Sequence, residues 1–269
     1  MGILNINDDS FSGDGRLDPD WALARAAELV AEGADIVDVG GESARTNRAA
    51  ISEDEEWSRI RPFLEGFEAC VSQGRPRDAD QMFPPLLSVN TWRPPIAAKA
   101  IAAGCDILND MGALPDARNA SLCAAAGTAI LIMHSRGEPK IAQTHMRYDD
   151  VIAELETFFT EKIALANRAG VAADQIILDP GIDFAKQAAD NLRIYRDLCR
   201  LHRFGRPILL PVSRKSVIGH VLGINNPTER DAGTVACVVA GSLRGAALFR
   251  VHNVSAAWQT LRTLEVVTP

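Results

Sequence analysis

Long apolar runs, paired cysteines and clusters of basic residues are all missing from this 269-residue chain. No apolar run approaches the roughly 20 residues that a membrane-spanning helix needs, and no basic region followed by an apolar one opens the chain. We therefore expect an unexported, cytoplasmic protein without a membrane partner. The net charge of −7, the pI near 5.3 and the lack of a basic run argue against a nucleic-acid partner.

The cysteines are also uninformative about disulfides or metals, because their number is odd and no C-x-x-C pair occurs. We expect buried free thiols at Cys70, Cys105, Cys123, Cys199 and Cys237.

The length and the hydrophobic fraction of 47% suffice for one large core, and α/β barrels of about 250 residues commonly form a single domain. One domain over residues 1–269 is the prediction.

Short apolar segments alternate regularly with amphipathic ones along the whole chain. The predicted strands are 1–5, 36–39, 86–89, 106–108, 129–133, 176–179, 208–212 and 248–252. The predicted helices are 19–33, a segment that a Ser52–Glu55 capping box opens, 96–103, 116–126, 149–169, 188–203, 228–244 and 254–265. Eight βα units indicate a (β/α)8 TIM barrel. A doubly wound open sheet is the alternative; polar residues after every strand favour the barrel.

The segment Ile176–Lys186 illustrates how a functional residue is placed in such a fold. Three apolar residues suit a strand buried on both faces, and Pro180 with Gly181 stops it, so that Asp179 is the last strand residue. Ligands bind at the carboxyl ends of parallel strands, so this carboxylate is a candidate site residue. The competing interpretation is a loop aspartate that caps the next helix.

Other polar residues fall at the same end of the predicted barrel. Carboxylate and amide groups can hydrogen-bond the edge of a flat polar heterocycle, while arginine and histidine can hold an anion beside a hard metal ion with oxygen ligands. A solitary histidine is usually structural, but the Arg-x-His spacing of Arg250 and His252 places both side chains on one side. The candidate set is Asn5, Asp38, Arg45, Asn90, Asn109, Asp179, Lys215, Arg250 and His252.

Eight motifs stand in order at the eight strand ends: MGILNINDDSFSGDG (1–15), DIVDVGGESAR (35–45), SVNTWR (88–93), ILND (107–110), MHSRG (133–137), ILDPGIDFAK (177–186), SRKSVIG (213–219) and RVHN (250–253). Together they resemble the motifs of dihydropteroate synthase, and they cover nearly the whole chain. The resemblance implies an α/β barrel that joins 6-hydroxymethyl-7,8-dihydropterin diphosphate to p-aminobenzoate. The products would be 7,8-dihydropteroate, for folate synthesis, and diphosphate.

The resemblance also implies a role for each matching position. Asp179, Lys215 and Asn90 would be catalytic, and the pterin would contact Asp179, Asn109, Lys215, Asn90, Met133 and Phe184. Met133 and Phe184 are equally well explained as core residues. The diphosphate would bind Asn5, Arg45, Arg250 and His252, with Mg²⁺ at Asn5, and p-aminobenzoate would bind Ser213, Arg45 and Ala44.

The family resemblance further implies a homodimer that forms through the last helices. It also implies either a target of sulfonamides, which mimic aminobenzoate, or a protein resistant to them. Two loops, at about 6–15 and 43–52, would act as a lid that excludes water.

Several positions depart from the family pattern. Asn90 stands where the family has Asp, and loss of a preorganised charge can cost on the order of 10² in rate. The others are Ala44, Thr46 and Asn47 in the second loop, Pro211 in the seventh strand and Asn253 after the eighth. Three hypotheses remain open: a working synthase, a paralogue with another acceptor or a methyl-transferring relative, and a pterin-binding protein without turnover.

Overall fold

The computed structural model describes residues 1–8, 15–43, 49–141 and 143–268. Within them, six parallel strands form one sheet in sequence order and two more pair beside it. The strands are β1 (Gly2–Asn5), β2 (Ile36–Gly40), β3 (Leu86–Asn90), β4 (Ile107–Asp110), β5 (Ala129–Met133), β6 (Ile176–Asp179), β7 (Leu209–Leu210) and β8 (Leu248–Phe249). Asp179 ends β6, as the sequence predicted.

The two sheets are joined at both sides by isolated parallel bridges. Leu178 of β6 bridges Ile208, and Gly2 of β1 bridges Val251 beyond β8. The Ile3 amide donates to the Val251 carbonyl at 3.0 Å, and the Val251 amide donates to the Met1 carbonyl at 3.0 Å. All eight strands therefore follow one another around the molecule in chain order, and the predicted (β/α)8 fold is confirmed.

Alternate residues along each strand enter two apolar layers, as the period of two in a strand requires. In β5, Leu131 and Met133 belong to a small inner cluster, which also holds Ile36, Ile107, Ile177 and Leu209. Ile130 and Ile132, which alternate with them, belong to the larger cluster between the strands and the helices. The near-continuous apolar runs of the sequence reflect burial on both faces.

The helices pack outside the strands. They are α1 (Pro19–Ala31), α2 (Glu53–Val71), α3 (Pro94–Ala102), α4 (Arg118–Ala126), α5 (Val151–Arg168), α6 (Ala188–Asp197), α7 (Ser216–Leu222), α8 (Asp231–Ser242) and α9 (Val254–Val267). Ser52 caps α2 by accepting the Glu55 amide at 3.1 Å, which is half of the predicted capping box. The Glu55 carboxylate pairs instead with Arg59, at 2.7 Å. No helix in the described part of the chain is long and apolar enough to cross a bilayer.

The last quarter of the chain differs most from the prediction. Strand β7 is only two residues long, because the Val212 amide, which would continue the ladder to β8, donates instead to the Leu210 carbonyl at 3.1 Å. Strand β8 ends at Phe249 rather than His252. Helix α7 was not predicted; its seven residues, closed by left-handed Gly223, are too few to show a helical period.

Two long predicted helices are also divided. The predicted helix 188–203 ends as an α-helix at Asp197 and continues as a 3-10 helix over Leu198–Phe204. The predicted helix 228–244 begins with a 3-10 turn, Pro227–Arg230, before α8. An apolar face with a period near 3.6 does not distinguish these tighter turns from the α-helix. Cys199, in the first of these turns, is exposed, so the prediction of a buried thiol is wrong there.

Gly241 lets α8 approach the barrel closely at its short strands. A Cβ atom at this position would lie 2.6 Å from Leu210 Cδ1 and 2.8 Å from Phe249 Cε1. We expect Gly241→Val to lower the free energy of unfolding by about 1–3 kcal/mol through overpacking. Chemical denaturation measures this, with Ala153→Val on the exposed face of α5 as the control that stays within about 1 kcal/mol. Equal losses in both variants would contradict this packing.

Candidate active site

A cavity of about 530 Å³ opens at the carboxyl ends of the strands. Most of the residues predicted from the sequence line it together: Asn5, Asn90, Asn109, Met133, Asp179, Phe184, Lys215, Arg250 and His252. Asp38 and Ser213 are buried behind this lining and contact it. Arg45 and Ala44 lie outside the described residues, as do Thr46 and Asn47. Side chains spread over more than 240 positions of sequence thus meet in one cavity, as expected for strand ends of a barrel.

Asp179 is the buried carboxylate at the centre of this lining. Its Oδ1 accepts the Gly181 amide at 2.7 Å, which fixes the carboxylate against the turn that follows β6. Burial raises the pKa of Asp179 to about 6, although the Gly181 hydrogen bond and the charges of Lys215, Lys186 and Arg250 all act to lower it. The carboxylate is therefore ionised at neutral pH and can accept two N–H groups from a ligand.

Asp38, fully buried in β2, orients two residues of the lining. Its carboxylate accepts Arg250 Nε at 2.7 Å and Asn109 Nδ2 at 3.1 and 3.3 Å, and Ser88 Oγ lies 2.5 Å from its Oδ1. Because Asn109 turns its nitrogen towards Asp38, its Oδ1 is left buried and makes no hydrogen bond to any described residue. In Asn109, which lines the cavity, the unused acceptor oxygen is shielded from water, and Arg250 keeps its two terminal nitrogens for an anion.

Lys215 and Phe184 form one wall of the cavity. Lys215 Nζ donates to the Ile182 carbonyl at 2.9 Å and lies 4.8 Å from the centre of the Phe184 ring. Burial lowers the pKa of Lys215, while Asp183 and Asp179 act to raise it. This wall therefore offers a flat ligand an aromatic side chain, an ammonium held against that aromatic ring by a cation–π contact, and the nearby Asp179 carboxylate.

His252 and Ser213 contact each other at the end of β7. Ser213 Oγ lies 2.7 Å from His252 Nδ1 and accepts the His252 amide at 3.1 Å. The pair holds the imidazole towards the cavity beside Arg250, which agrees with the predicted anion end of the site. Ser213 itself is only 2% exposed.

Asn90, the principal departure from the family pattern, lines the cavity at the end of β3. Its Nδ2 lies 3.1 Å from Met111 Sδ, and its buried Oδ1 has no hydrogen-bond partner among the described residues. In this orientation the amide oxygen is shielded from water and, unlike the oxygen of a carboxylate, carries no negative charge.

Sequence reasoning missed a second group of charged residues at the cavity wall. Arg93 pairs with Glu42 at 2.6 Å and also with Glu56, and Lys140 donates to the Ser43 carbonyl at 2.9 Å. Burial raises the pKa of Glu56 despite its contacts with Thr91 and Arg93. These contacts connect the loops after β2, β3 and β5. Glu42 and Arg93 stand inside two of the eight motifs, whereas Glu56 and Lys140 lie outside them, and charge was the only sequence signal of the latter two.

Lys186 and His134 were also missed, although both lie inside the quoted motifs. Lys186 Nζ lies 2.8 Å from His134 Nδ1, and burial lowers the pKa of Lys186 to about 7 and that of His134 to about 4. The sequence signal that could have identified Lys186 was its place in a short glycine-containing turn directly after a predicted strand.

Comparison with known proteins agrees with this geometry. The family model for the pterin binding enzyme matches residues 1–252. The chain belongs to this family. It is 36% identical over 269 residues to the dihydropteroate synthase of Escherichia coli, with 98% of this chain and 90% of that protein aligned. The Bacillus subtilis dihydropteroate synthase is 40% identical over 256 residues, covering 94% of this chain and 83% of the relative.

Solved structures of dihydropteroate synthases share the fold of this family member. The Yersinia pestis enzyme in a sulfonamide drug complex superposes with a TM-score of 0.88 at 33% identity, covering 99% of this chain and 92% of that one. The Xanthomonas albilineans enzyme has been solved with 4-aminobenzoic acid, with a TM-score of 0.86 at 34% identity, and with 7,8-dihydropteroate, with a TM-score of 0.84 at 35% identity. Both comparisons cover 99% of this chain and 92% of that one. The predicted family, fold and transferase class are confirmed.

The raised pKa of Asp179 generates a prediction about pH. Protonation of a carboxyl whose pKa is about 6 removes its acceptor pair below that pH, so pterin affinity should fall by up to tenfold per pH unit as the pH drops below 6. Calorimetric titration of a pterin from pH 5 to 7 measures this, and Asp179→Asn should abolish the decline. Wild-type affinity that stays constant down to pH 5 would contradict the assignment.

The contacts of Asp38 generate a prediction about anion binding. Asp38→Asn removes the charge that holds Arg250, so affinity for inorganic diphosphate should fall by about tenfold or more, whereas Ser88→Ala removes one hydrogen bond and should cost less than about fivefold. Calorimetry with diphosphate distinguishes the two variants, and thermal unfolding controls for general damage. Equal losses would mean that Asp38 does not orient Arg250.

Proposed function

We propose that this chain condenses 6-hydroxymethyl-7,8-dihydropterin diphosphate with p-aminobenzoate to give 7,8-dihydropteroate and diphosphate. The observation that carries the proposal is one cavity with a heterocycle-binding end and an anion-binding end. Asp179, Asn109 and Lys215 line the first, and Arg250 and His252 line the second. The aminobenzoate and dihydropteroate bound by the Xanthomonas albilineans relative support the choice of acceptor and product.

The proposed pterin site uses acceptors for the donor groups of the ring. The ionised Asp179 would accept the 2-amino group and the neighbouring ring N–H, a pair of parallel bonds that suits a carboxylate. Asn109 Oδ1, which makes no hydrogen bond to a described residue, would accept another ring N–H. Phe184 and Met133 would pack on the ring, and Lys215 would donate to its edge.

The proposed diphosphate site combines Arg250 and His252 with Asn5 and, from the family resemblance, Arg45. A guanidinium binds a diphosphate oxygen pair in a planar fork, and Asp38 fixes its orientation. Neutralisation of the departing anion by preorganised charge is the main stabilisation that this reaction needs.

A magnesium ion is proposed to bind with the diphosphate rather than before it. No group of three His, Cys, Asp or Glu side chains suited to a metal occurs among the described residues. Asn5 supplies an amide oxygen at the cavity, and Mg²⁺ commonly takes one or two protein oxygens together with substrate phosphates. Asn5 would therefore hold such an ion, which would add positive charge at the leaving group.

The reaction itself then requires little covalent participation by the protein. The methylene C–O bond breaks as diphosphate leaves, the positive charge spreads into the ring, and the amine nitrogen forms the new C–N bond and loses a proton. Ser213, with Arg45 and Ala44, is proposed to lie at the aminobenzoate side. The protein holds the ring, neutralises the anion and excludes water.

We also propose a cytoplasmic homodimer that sulfonamides inhibit by competing with p-aminobenzoate. The Yersinia pestis relative in its sulfonamide drug complex supports the inhibitor class. A groove between α8 and α9, lined by Val235, Val239, Ala256, Thr260 and Leu264, is consistent with close packing of a second copy.

Turnover tests the proposal directly and also tests the role of Asn90. Purified protein with pterin diphosphate, p-aminobenzoate and Mg²⁺ should release diphosphate and form dihydropteroate, measured by chromatography. Asn90→Asp should raise kcat by about tenfold or more, because a carboxylate at this position would offset the developing positive charge. Pterin binding without product would refute the proposed reaction and favour a non-catalytic pterin-binding protein. An unchanged kcat in Asn90→Asp would show that the charge is not needed.

A further inference from the structure

The turn after β6 contains an unusual run of left-handed residues. Gly181, Asp183 and Ala185 have φ values of 68°, 70° and 50°, and two of the three carry side chains. A non-glycine residue in this region costs on the order of 1 kcal/mol or more. Asp183 and Ala185 flank Phe184 directly, so the strained backbone is the part of the turn that presents Phe184 to the cavity.

The ammonium of Lys186 lies at the centre of this turn. Its Nζ donates to the Gly181 and Phe184 carbonyls, each at 3.0 Å, and lies 3.4 Å from the His134 carbonyl. A Cβ atom on Gly181 would come within 1.9 Å of that same His134 carbonyl, so the turn is packed closely against the end of β5. Lys186 therefore connects both ends of the strained segment to the neighbouring strand.

His134 fixes the remaining side of the ammonium. His134 Nδ1 lies 2.8 Å from Lys186 Nζ, and His134 Nε2 lies 3.4 Å from Glu154 Oε1. A charged lysine has no acceptor, so Nδ1 carries the lone pair and the ring proton is on Nε2, facing Glu154. Burial and the nearby Lys186 lower the pKa of His134 to about 4, which agrees with a neutral ring.

Other contacts hold the turn from outside. Tyr148 Oη donates to the Ala185 carbonyl at 2.9 Å, and Lys215 Nζ donates to the Ile182 carbonyl at 2.9 Å. The Asp183 amide donates to Asn191 Oδ1 at 2.8 Å. Of all these partners Lys186 alone bonds two carbonyls inside the turn, on either side of Asp183.

We propose that Lys186 is a positioning residue for the pterin: it holds the 181–186 turn in its left-handed shape and thereby places Phe184 and Asp179 against the ring. This inference rests on the proposed function, since it concerns the same cavity. It assigns Lys186 no contact with the reacting atoms. Loss of the ammonium should therefore weaken pterin binding and leave the p-aminobenzoate side unchanged.

The test compares Lys186→Met with the double variant Lys186→Met/Ala185→Gly. Lys186→Met should raise the Kd and the KM for the pterin diphosphate by about tenfold or more, with the KM for p-aminobenzoate within about twofold of wild type. Ala185→Gly should recover part of this loss, because glycine adopts a positive φ without steric cost. Lys99→Met, on the exposed side of α3, is the control that should change neither constant.

The outcomes separate positioning from other roles. Unchanged pterin affinity in Lys186→Met would overturn the inference. A fall in kcat with unchanged pterin Kd and no recovery in the double variant would overturn it too, and would indicate that the ammonium acts on the reacting groups. If Lys186→Met does not fold, Tyr148→Phe replaces it and should raise the pterin Kd by a few-fold. If the wild-type protein binds pterin but forms no product, the proposed reaction is refuted. The inference about Lys186 is still tested in that case, because the comparison of pterin Kd values does not need turnover.

Discussion

Buried charge at the carboxyl ends of parallel strands is the constraint on which this site depends. Asp38 and Asp179 are buried, and Lys186, Lys215 and Arg250 are half-buried beside them. A buried ion is costly unless partners surround it, and removal of one partner leaves an uncompensated charge. Each charged group therefore has a defined neighbour, and the side chains that face a ligand are held before the ligand arrives.

The contacts of these charged groups determine which side chains of the lining can donate a hydrogen bond and which can accept one. Asp38 accepts hydrogen bonds from the side-chain nitrogen of Asn109 and from Nε of Arg250. Asn109 therefore retains its acceptor oxygen, and Arg250 retains its two terminal nitrogens as donors. The Gly181 amide holds Asp179 at the base of the turn whose strained backbone carries Phe184. The cavity thus combines acceptors and an aromatic face at one end with cations at the other. Preorganisation of this kind supports binding and charge stabilisation without movement of the scaffold.

Much of this could be predicted from the sequence, because strand ends are local features. The apolar run before Pro180 fixed Asp179 as the end of β6, and the same logic placed Asn109 and Arg250 at one rim. What could not be predicted depends on contacts distant in sequence. The 71-residue separation between Asp38 and Asn109, and the 52-residue separation between His134 and Lys186, leave no periodic signal. Short elements such as α7 could not be predicted for a different reason: they contain too few residues to show a helical period.

The central claim is that the buried carboxylate at the end of β6 recognises the pterin edge. The most direct measurement is the Kd of a 7,8-dihydropterin for Asp179→Asn against wild type by calorimetry at pH 7, where the wild-type carboxylate is mostly ionised. The account predicts a loss of about 100-fold, because an amide offers one acceptor where the ring presents two donors. Equal affinity of the two proteins would contradict it.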